Sequence, residues 1–291
     1  NSTLDTSGYR GLDPQDVAAA TQDDESAGFL VSSVSGSVTE EGGQALFTVR
    51  LTSQPSGSVA LSVSSDNTSE ATVSPLTLTF TGTNWRSEQA VRVTGVDDNI
   101  SDGNSAFRIV LDNSSSTNAS EYIGLNPPDV MLSNLDDETP GFLISAISGN
   151  LVEKGGSATF TVKMTSQPTS SVDIPLLVSD TGEATVSGDN TTHLRFTTSN
   201  WNADHVVTLS AVDDSESDGT QSFYVNLGAD NSTLDTSGYR GLDPQDVAAA
   251  TQDDESAGFL VSSMSGSVTE EGGQALFTLR LTSQPSGDVV V

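Results

Sequence analysis

The sequence predicts an all-β protein built from tandem Greek-key β-sandwich domains, arranged like beads on a rod. Three observations support this prediction. Apolar residues recur at every second position, the apolar runs are separated by clusters of Gly, Pro, Ser, Asn and Asp, and a unit of about 115 residues is repeated. No stretch shows a sustained helical pattern. About seven short strands in one unit are typical of two packed antiparallel sheets.

The period of two is clearest in residues 44–52, QALFTVRLT. Ala45, Phe47, Val49 and Leu51 occupy every second position there. Segments 58–63, 90–93 and 106–111 show the same alternation. Such a pattern predicts strands with one face in a core and the other in solvent.

The repeats define the domain organisation. Residues 1–33 recur letter for letter at 231–263, so the long period is 231 − 1 = 230 residues. This period contains two weaker halves, because Trp85 recurs as Trp201 and Asp97 as Asp213. We therefore predict the tail of a preceding repeat at 1–26, complete repeats at 27–140 and 141–256, and the first part of a further repeat at 257–291.

Composition excludes several classes of function. The chain has 40 Asp and Glu against 10 Lys and Arg, a net charge of −30 and no cysteine. The acidic excess argues against binding to nucleic acid or to a membrane surface through a basic helix. Without cysteine the chain has no disulfide framework and no zinc–thiolate site. No apolar run approaches the roughly 20 residues of a transmembrane helix.

Each complete repeat carries three acidic clusters that are far apart in sequence. The first follows the opening strand, in VTEEGG at 38–43 and LVEKGG at 151–156. The second follows a central strand, in VDDNISDG at 96–103 and VDDSESDG at 212–219, and the third ends the repeat, in LDDE at 135–138 and QDDE at 252–255. The loops after these strands lie at one end of a sandwich, so we expect about seven carboxylates to converge there.

A bound cation accounts for this arrangement. An uncompensated pair of carboxylates about 4 Å apart costs on the order of 1–4 kcal/mol. Calcium accepts six to eight oxygen ligands in irregular geometry, whereas magnesium requires a stricter octahedron. Zinc prefers His or Cys, and His193 and His205 have no counterparts in the first repeat. Each cluster taken alone also fits a solvated turn or linker, and its recurrence in the same order in both repeats favours calcium.

The motifs resemble the Calx-β family: an opening strand followed by V-x-E, the segments VDDNISDGNSAF and VDDSESDGTQSF, and a closing acidic triplet. The resemblance implies immunoglobulin-like sandwiches that bind Ca²⁺ at one pole, next to the following domain. Ser105 and Gln221 replace a further Glu of the calcium-sensing members, which implies fewer ions or weaker sites, and Glu70 and Glu183 are additional candidates. The implied metal ligands are Glu40, Asp97, Asp98, Asp102, Asp136, Asp137 and Glu138 in the first repeat, and Glu153, Asp213, Asp214, Asp218, Asp253, Asp254 and Glu255 in the second.

Near-identical tandem copies are similar to the repeat regions of large secreted bacterial adhesins and surface fibre proteins. We therefore expect a calcium-stiffened spacer at the cell surface, with neighbouring repeats and identical chains of a fibre as partners. The alternative is a module that binds glycans or a partner protein, which exposed Trp85 or Trp201 side chains would favour. The chain has no G-x-S-x-G, H-E-x-x-H or P-loop motif, so we do not expect an enzyme.

Overall fold

Strands dominate both repeats. The computed structural model describes residues 8–9, 11–112, 114–188, 191–230 and 234–291. Residues 27–140 contain one short 3-10 helix, Ser120–Tyr122, and the following strands: β1 (Phe29–Val31), β2 (Ser35–Gly36), β3 (Val38–Thr39), β4 (Gln44–Leu51), β5 (Ser58–Ser65), β6 (Ala71–Ser74), β7 (Thr77–Phe80), β8 (Gln89–Gly95), β9 (Ser105–Leu111), β10 (Ser115–Thr117) and β11 (Val130–Leu135).

The second repeat has the same main strands in the same order, without described counterparts of β2, β10 and the 3-10 helix, and a short strand pair follows it. The strands are β12 (Phe142–Ile144), β13 (Leu151–Val152), β14 (Ser157–Met164), β15 (Val172–Val178), β16 (Ala184–Ser187), β17 (His193–Phe196), β18 (His205–Ala211), β19 (Gln221–Leu227), β20 (Val247–Gln252), β21 (Phe259–Val261) and β22 (Leu279–Leu281). No helix in the described ranges is long and apolar enough to cross a membrane.

Each complete repeat is a sandwich of two sheets, which confirms the predicted fold class. In the first repeat one sheet has the order β1-β4-β8-β6 and the other β10-β5-β9-β11-β3. In the second repeat the corresponding sheets are β12-β14-β18-β16 and β13-β20-β19-β15-β17. The pairings between the strands described above are antiparallel, except that β3 with β11 and β13 with β20 are parallel.

The parallel pairs arise because the opening strand changes sheets. β1 and β2 pair with β4 in one sheet, and β3 then pairs with β11 in the other, with Val38 opposite Asn134. Gly36, at a φ of 92°, adopts the left-handed conformation that favours glycine at this crossing point. The crossing brings the residue after β3 beside the end of β11, and so joins the first and third acidic clusters.

The alternating residues of the strands form the two cores. In β4 the side chains of Ala45, Phe47, Val49 and Leu51 are all buried, as the pattern predicts. A second core of the same kind occupies the second repeat, around Phe160 and Phe196. A buried tyrosine ties the end loop to each core: the Tyr122 hydroxyl donates to the carbonyl of Ser53 at 2.8 Å and the Tyr239 hydroxyl to that of Ser166 at 2.9 Å.

The segment 1–26 has the same sequence as 231–256, but residues 17–22 differ in structure from residues 247–252. Residues 247–252 form β20, which pairs with β19 and β13. Residues 17–22 have the identical sequence VAAATQ and form no strand, and Val17 is 93% exposed. Strand formation here depends on neighbouring strands to pair with, because a single strand leaves its backbone groups without partners. Residues 1–7 and 10 of the predicted tail lie outside the described residues.

Candidate metal centre

The innermost acidic side chain of the first repeat is Glu40. It follows β3, and its backbone N–H donates to the Leu135 carbonyl at 3.0 Å, so the end of β11 fixes its position. The side chain is 2% exposed and its Oε2 atom has no hydrogen-bond partner. Glu153 repeats every feature: its N–H donates to Gln252 at 3.1 Å, its exposure is 2%, and Oε2 is unpartnered. A buried carboxylate oxygen without a donor lacks compensation for its lost hydration.

The closing triplet lies directly against Glu40. One carboxylate oxygen each of Glu40, Asp137 and Glu138 lies within 4.8 Å of the other two. Asp136, the remaining residue of the triplet, directs its carboxylate to the backbone instead. It accepts hydrogen bonds from the N–H of Glu138 at 2.9 Å and from that of Gly103 at 2.6 Å. The bond from Gly103 connects the triplet to the loop between β8 and β9. All three acidic clusters therefore meet at one end of the sandwich.

The β8–β9 loop is ordered by its own aspartates and by the triplet. Asp98 accepts from the backbone N–H of Ile100 at 2.7 Å, and the Ser101 hydroxyl donates to the Glu138 carbonyl at 3.3 Å. Asp98 lies near enough to Glu40 to raise its pKa by charge repulsion. Burial first, and then repulsion from Asp98 and Glu70, raise the pKa of Asp102. Asp97 is exposed, and it belongs to none of the groups of three close carboxylates among the described residues.

The electrostatics of the two buried glutamates reflect this crowding. Burial is the largest cause that raises the pKa of Glu40 to about 8, followed by a hydrogen bond with Glu138 and the charges of Glu138, Asp136 and Asp98. Burial also raises the pKa of Glu153 to about 7, assisted by the charges of neighbouring carboxylates. Desolvation and like charges both disfavour an ionised carboxylate. The metal-free site therefore resists holding all its charges at once.

The second repeat assembles the same cluster with small changes. Oxygens of Glu153, Asp253 and Glu255 lie within 4.8 Å of one another, and so do oxygens of Asp213, Asp254 and Glu255. Asp253 accepts from the N–H of Gly219 at 2.8 Å, the counterpart of the Asp136–Gly103 bond, and this bond is the main reason why its pKa is lowered. Unlike Asp97, its counterpart Asp213 belongs to the cluster.

Two positions outside the implied ligand sets take part in the site. Glu70 and Glu183, both 9% exposed, stand at the inner edge of the clusters, and the charges of Asp218, Asp180 and Asp214 help burial to raise the pKa of Glu183. In the first repeat the buried Asn134 amide reaches Glu70 at 3.3 Å and Glu40 at 3.5 Å. Its counterpart Thr251 donates to the backbone carbonyl of Glu183 instead. Glu70 and Glu183 recur in the shared segment EATVS, which is a sequence signal, whereas the alternation in β11 marks Asn134 only as a core position.

The donor set fits a hard divalent cation. Every member of the three groups is a carboxylate, and among the residues that the structure describes none of these groups contains a histidine. The buried Oε2 atoms of Glu40, Glu138, Glu153 and Glu255 point to the same conclusion. They have no hydrogen-bond donor, and a bound cation would compensate their lost hydration. Carboxylate oxygens from three separate loops are the ligands that Ca²⁺ accepts in its irregular geometry.

The two tryptophans are structural. Trp85 and Trp201 are half-buried and pack against the cores of their repeats. Their carbonyl groups accept hydrogen bonds from Leu51 at 3.0 Å and Met164 at 2.9 Å at the ends of β4 and β14. The Arg86 guanidinium lies 5.3 Å from the Trp85 ring centroid, within the range of a cation–π contact. Both side chains therefore serve the packing of their own repeats.

Comparisons with known proteins identify the repeats. A model of the Calx-beta domain matches residues 22–139 and again residues 136–256. The crystal structure of CBD12 from CALX1.2 is 17% identical to the chain, covers 76% of this chain and 99% of that one, and has a TM-score of 0.35. The structure of domains 5–6 of the S-layer protein SbsC is 14% identical, covers 79% and 100% of the two chains, and has a TM-score of 0.21. No curated protein sequence matches the chain.

Proposed function

Because the chain belongs to the Calx-beta family, which is a family of calcium-binding domains, we propose that its repeats form a calcium-stiffened spacer at the cell surface. The observation that supports this proposal most strongly is a contact between repeats. The Asn99 carbonyl, in the β8–β9 loop, accepts a hydrogen bond from the Gln167 N–H of the next repeat at 2.6 Å. The same contact recurs one repeat later, where the Ser215 carbonyl accepts from the Gln284 N–H at 2.6 Å.

The contact links the acidic cluster to the neighbouring repeat. Asn99 directly follows Asp98, whose carboxylate lies at the cluster, so one loop carries both the candidate ligands and the contact. Asn99 and Ser215 differ in side chain, and the contact uses only their carbonyl groups. Gln167, which donates in this contact, is held by its own repeat, since its side chain donates to the Thr198 carbonyl at 3.0 Å.

Calcium, when bound, would supply a positive charge to which the carboxylates of three loops attach. Glu40, Glu138 and Asp98 would then hold the β8–β9 loop in one position, and with it the contact to Gln167. Without the cation the same carboxylates repel one another by on the order of 1 kcal/mol or more for each close pair, which loosens the loop. The joint between repeats is therefore stiff with calcium and mobile without it.

Location and partners form part of the same proposal. Calcium sites of extracellular modules commonly have dissociation constants near 10⁻⁴–10⁻³ M, which suits the millimolar calcium outside cells. A repetitive, acidic, cysteine-free chain is suited to hold another domain away from the surface or to pack beside identical chains in a fibre. We assign it no catalytic activity. The alternative of a glycan-binding or protein-binding module gains no support from Trp85 and Trp201, which pack against the cores.

The proposal is tested by measuring the joint directly. The chain has no cysteine, so Thr77→Cys and His193→Cys at equivalent exposed strand positions give one spin label in each repeat. Pulsed electron–electron double resonance should give a narrow distribution of distances between the two labels in millimolar calcium and a broad one in EDTA. The variant Asp98→Asn/Glu138→Gln should stay broad in both. A distribution that is equally narrow with and without calcium would refute the stiffening role.

A further inference from the structure

The two joints differ in charge at one position of the same turn. The residue after the buried glutamate is Glu41 in the first repeat and Lys154 in the second. The turns are otherwise alike: the glycine that follows donates to the carbonyl of the buried glutamate at 2.7 Å in both repeats. The two joints therefore present opposite charges at one site of a shared backbone.

Lys154 is paired with a member of the acidic cluster. Its Nζ atom lies 3.4 Å from Oδ2 of Asp254, with side-chain exposures of 79% and 22%. Asp254 in turn lies within 4.8 Å of Asp213 and Glu255. Within the described ranges no Lys or Arg forms an ion pair with the cluster of the first repeat. Among the residues that the structure describes, a basic side chain pairs with the acidic cluster only in the second repeat.

We propose that the two joints bind calcium with different affinities, and that the joint of the first repeat fills at lower calcium than that of the second. This inference rests on the proposed function, because it requires that the clusters bind calcium. At the second joint Lys154 repels an entering cation and holds one carboxylate that the ion would use. At the first joint the Glu41 charge attracts the ion. The difference of two charge units at a solvated position amounts to roughly threefold to tenfold in affinity.

Asn134 acts in the opposite direction but more weakly. Its amide donates to Glu40 and Glu70 in the first repeat, and calcium must compete with these bonds. The donor is neutral, and the two distances, 3.5 and 3.3 Å, are long for hydrogen bonds. The full charge of Lys154, opposite in sign to that of Glu41, therefore decides which of the two sites binds calcium more tightly.

The order in which the joints bind calcium determines how the spacer stiffens. The segment VTEEGG recurs at 268–273, so the type of the first joint returns after 230 residues. Stiff and loose joints then alternate along the repeats at intermediate calcium. The protein would stiffen in two steps rather than one.

Calorimetric titration of the whole chain with calcium tests the inference. We expect two classes of site that differ threefold to tenfold. Asp98→Asn/Glu138→Gln should leave the weaker class, and the equivalent change Asp214→Asn/Glu255→Gln should leave the tighter one. Lys154→Glu should tighten the weaker class to the level of the other, and Glu41→Lys should weaken the tighter class. Lys163→Glu makes the same charge change at the other end of β14 and should alter neither.

The outcomes separate the two proposals. No binding at millimolar calcium would overturn the proposed function together with this inference. Binding with a single affinity that Lys154→Glu leaves unchanged would overturn the inference alone, as would a tighter site in the second repeat. An equal effect of Lys154→Glu and Lys163→Glu would attribute the difference to net charge and also overturn it.

Discussion

Replacement of Glu153 by glutamine should stabilise the metal-free chain and reduce the further stabilisation that calcium gives. In the metal-free chain Glu153 is a buried carboxylate with an unpartnered oxygen, close to Asp253 and Glu255. Glutamine has nearly the same shape and carries no charge. It removes the repulsion and part of the desolvation cost, and it also removes a calcium ligand. The change therefore stabilises the metal-free repeat and reduces the stabilisation that calcium binding adds to it.

The pKa gives the magnitude. Burial and nearby charges raise the pKa of Glu153 from 4.5 to about 7. Each pKa unit corresponds to about 1.36 kcal/mol, so the ionised side chain costs on the order of 3 kcal/mol at pH 8. Glutamine should raise the metal-free free energy of unfolding by up to that amount. A tenfold loss of calcium affinity would reduce the stabilisation that saturating calcium adds by about 1.4 kcal/mol, so the variant's gain over the parent should be smaller in calcium than in EDTA.

Urea unfolding at pH 8, monitored by hydrogen exchange of the backbone amides in β13 and β20, measures the stability of the second repeat separately from the first. The variant should unfold at higher urea than the parent in EDTA, and calcium should raise its midpoint by less than it raises the midpoint of the parent. Asp204→Asn removes one charge from an exposed turn of the same repeat and should have a small effect of the same sign in both buffers. A variant that is less stable than the parent in EDTA, or one that calcium stabilises as much as the parent, would refute the reasoning.

Three further outcomes follow from the structure. The folded-state pKa values of Glu40 and Glu153, about 8 and about 7, lie above the unfolded value of 4.5, so the metal-free fold binds protons more tightly than the unfolded chain. Its stability should therefore fall as the pH rises from about 4.5 to 8, and melting curves in EDTA across this range check the sign. Calcium binding at pH 7 should release protons, which titrations in buffers of different ionisation enthalpy measure. Tyr239→Phe removes a hydroxyl that bonds to the N–H, hydroxyl and carbonyl of Ser166, and should lower the stability of the second repeat by about 1–3 kcal/mol in urea unfolding.

The sandwich could be predicted from the sequence because the alternation within each strand indicates which of its faces packs into the core. The alternation in 44–51 specifies which side chains enter the core, and the structure buries Ala45, Phe47, Val49 and Leu51. The meeting of Glu40, Glu138 and Asp98 was also predictable, because loops at the same end of a sandwich must lie near one another. Because the three motifs recur in the same order, they also align the two repeats with each other.

Other features depend on contacts that no local pattern records. The shift of the opening strand from one sheet to the other joins Glu40 to β11, and only the pairing of Val38 with Asn134 reveals it. The role of Asn134 between two carboxylates follows from this pairing. The identical sequences 17–22 and 247–252 make the same point: their structures differ because only the second has neighbouring strands.

The central claim is that a cation gathers carboxylates from three separate loops at the end of each repeat. A crystal structure grown in calcium, with anomalous difference maps, tests it most directly. We predict one or more calcium peaks in each repeat, bonded to Glu40 and the 136–138 triplet in the first and to Glu153 and the 253–255 triplet in the second. Well-ordered acidic clusters that contain only water at millimolar calcium would contradict the account.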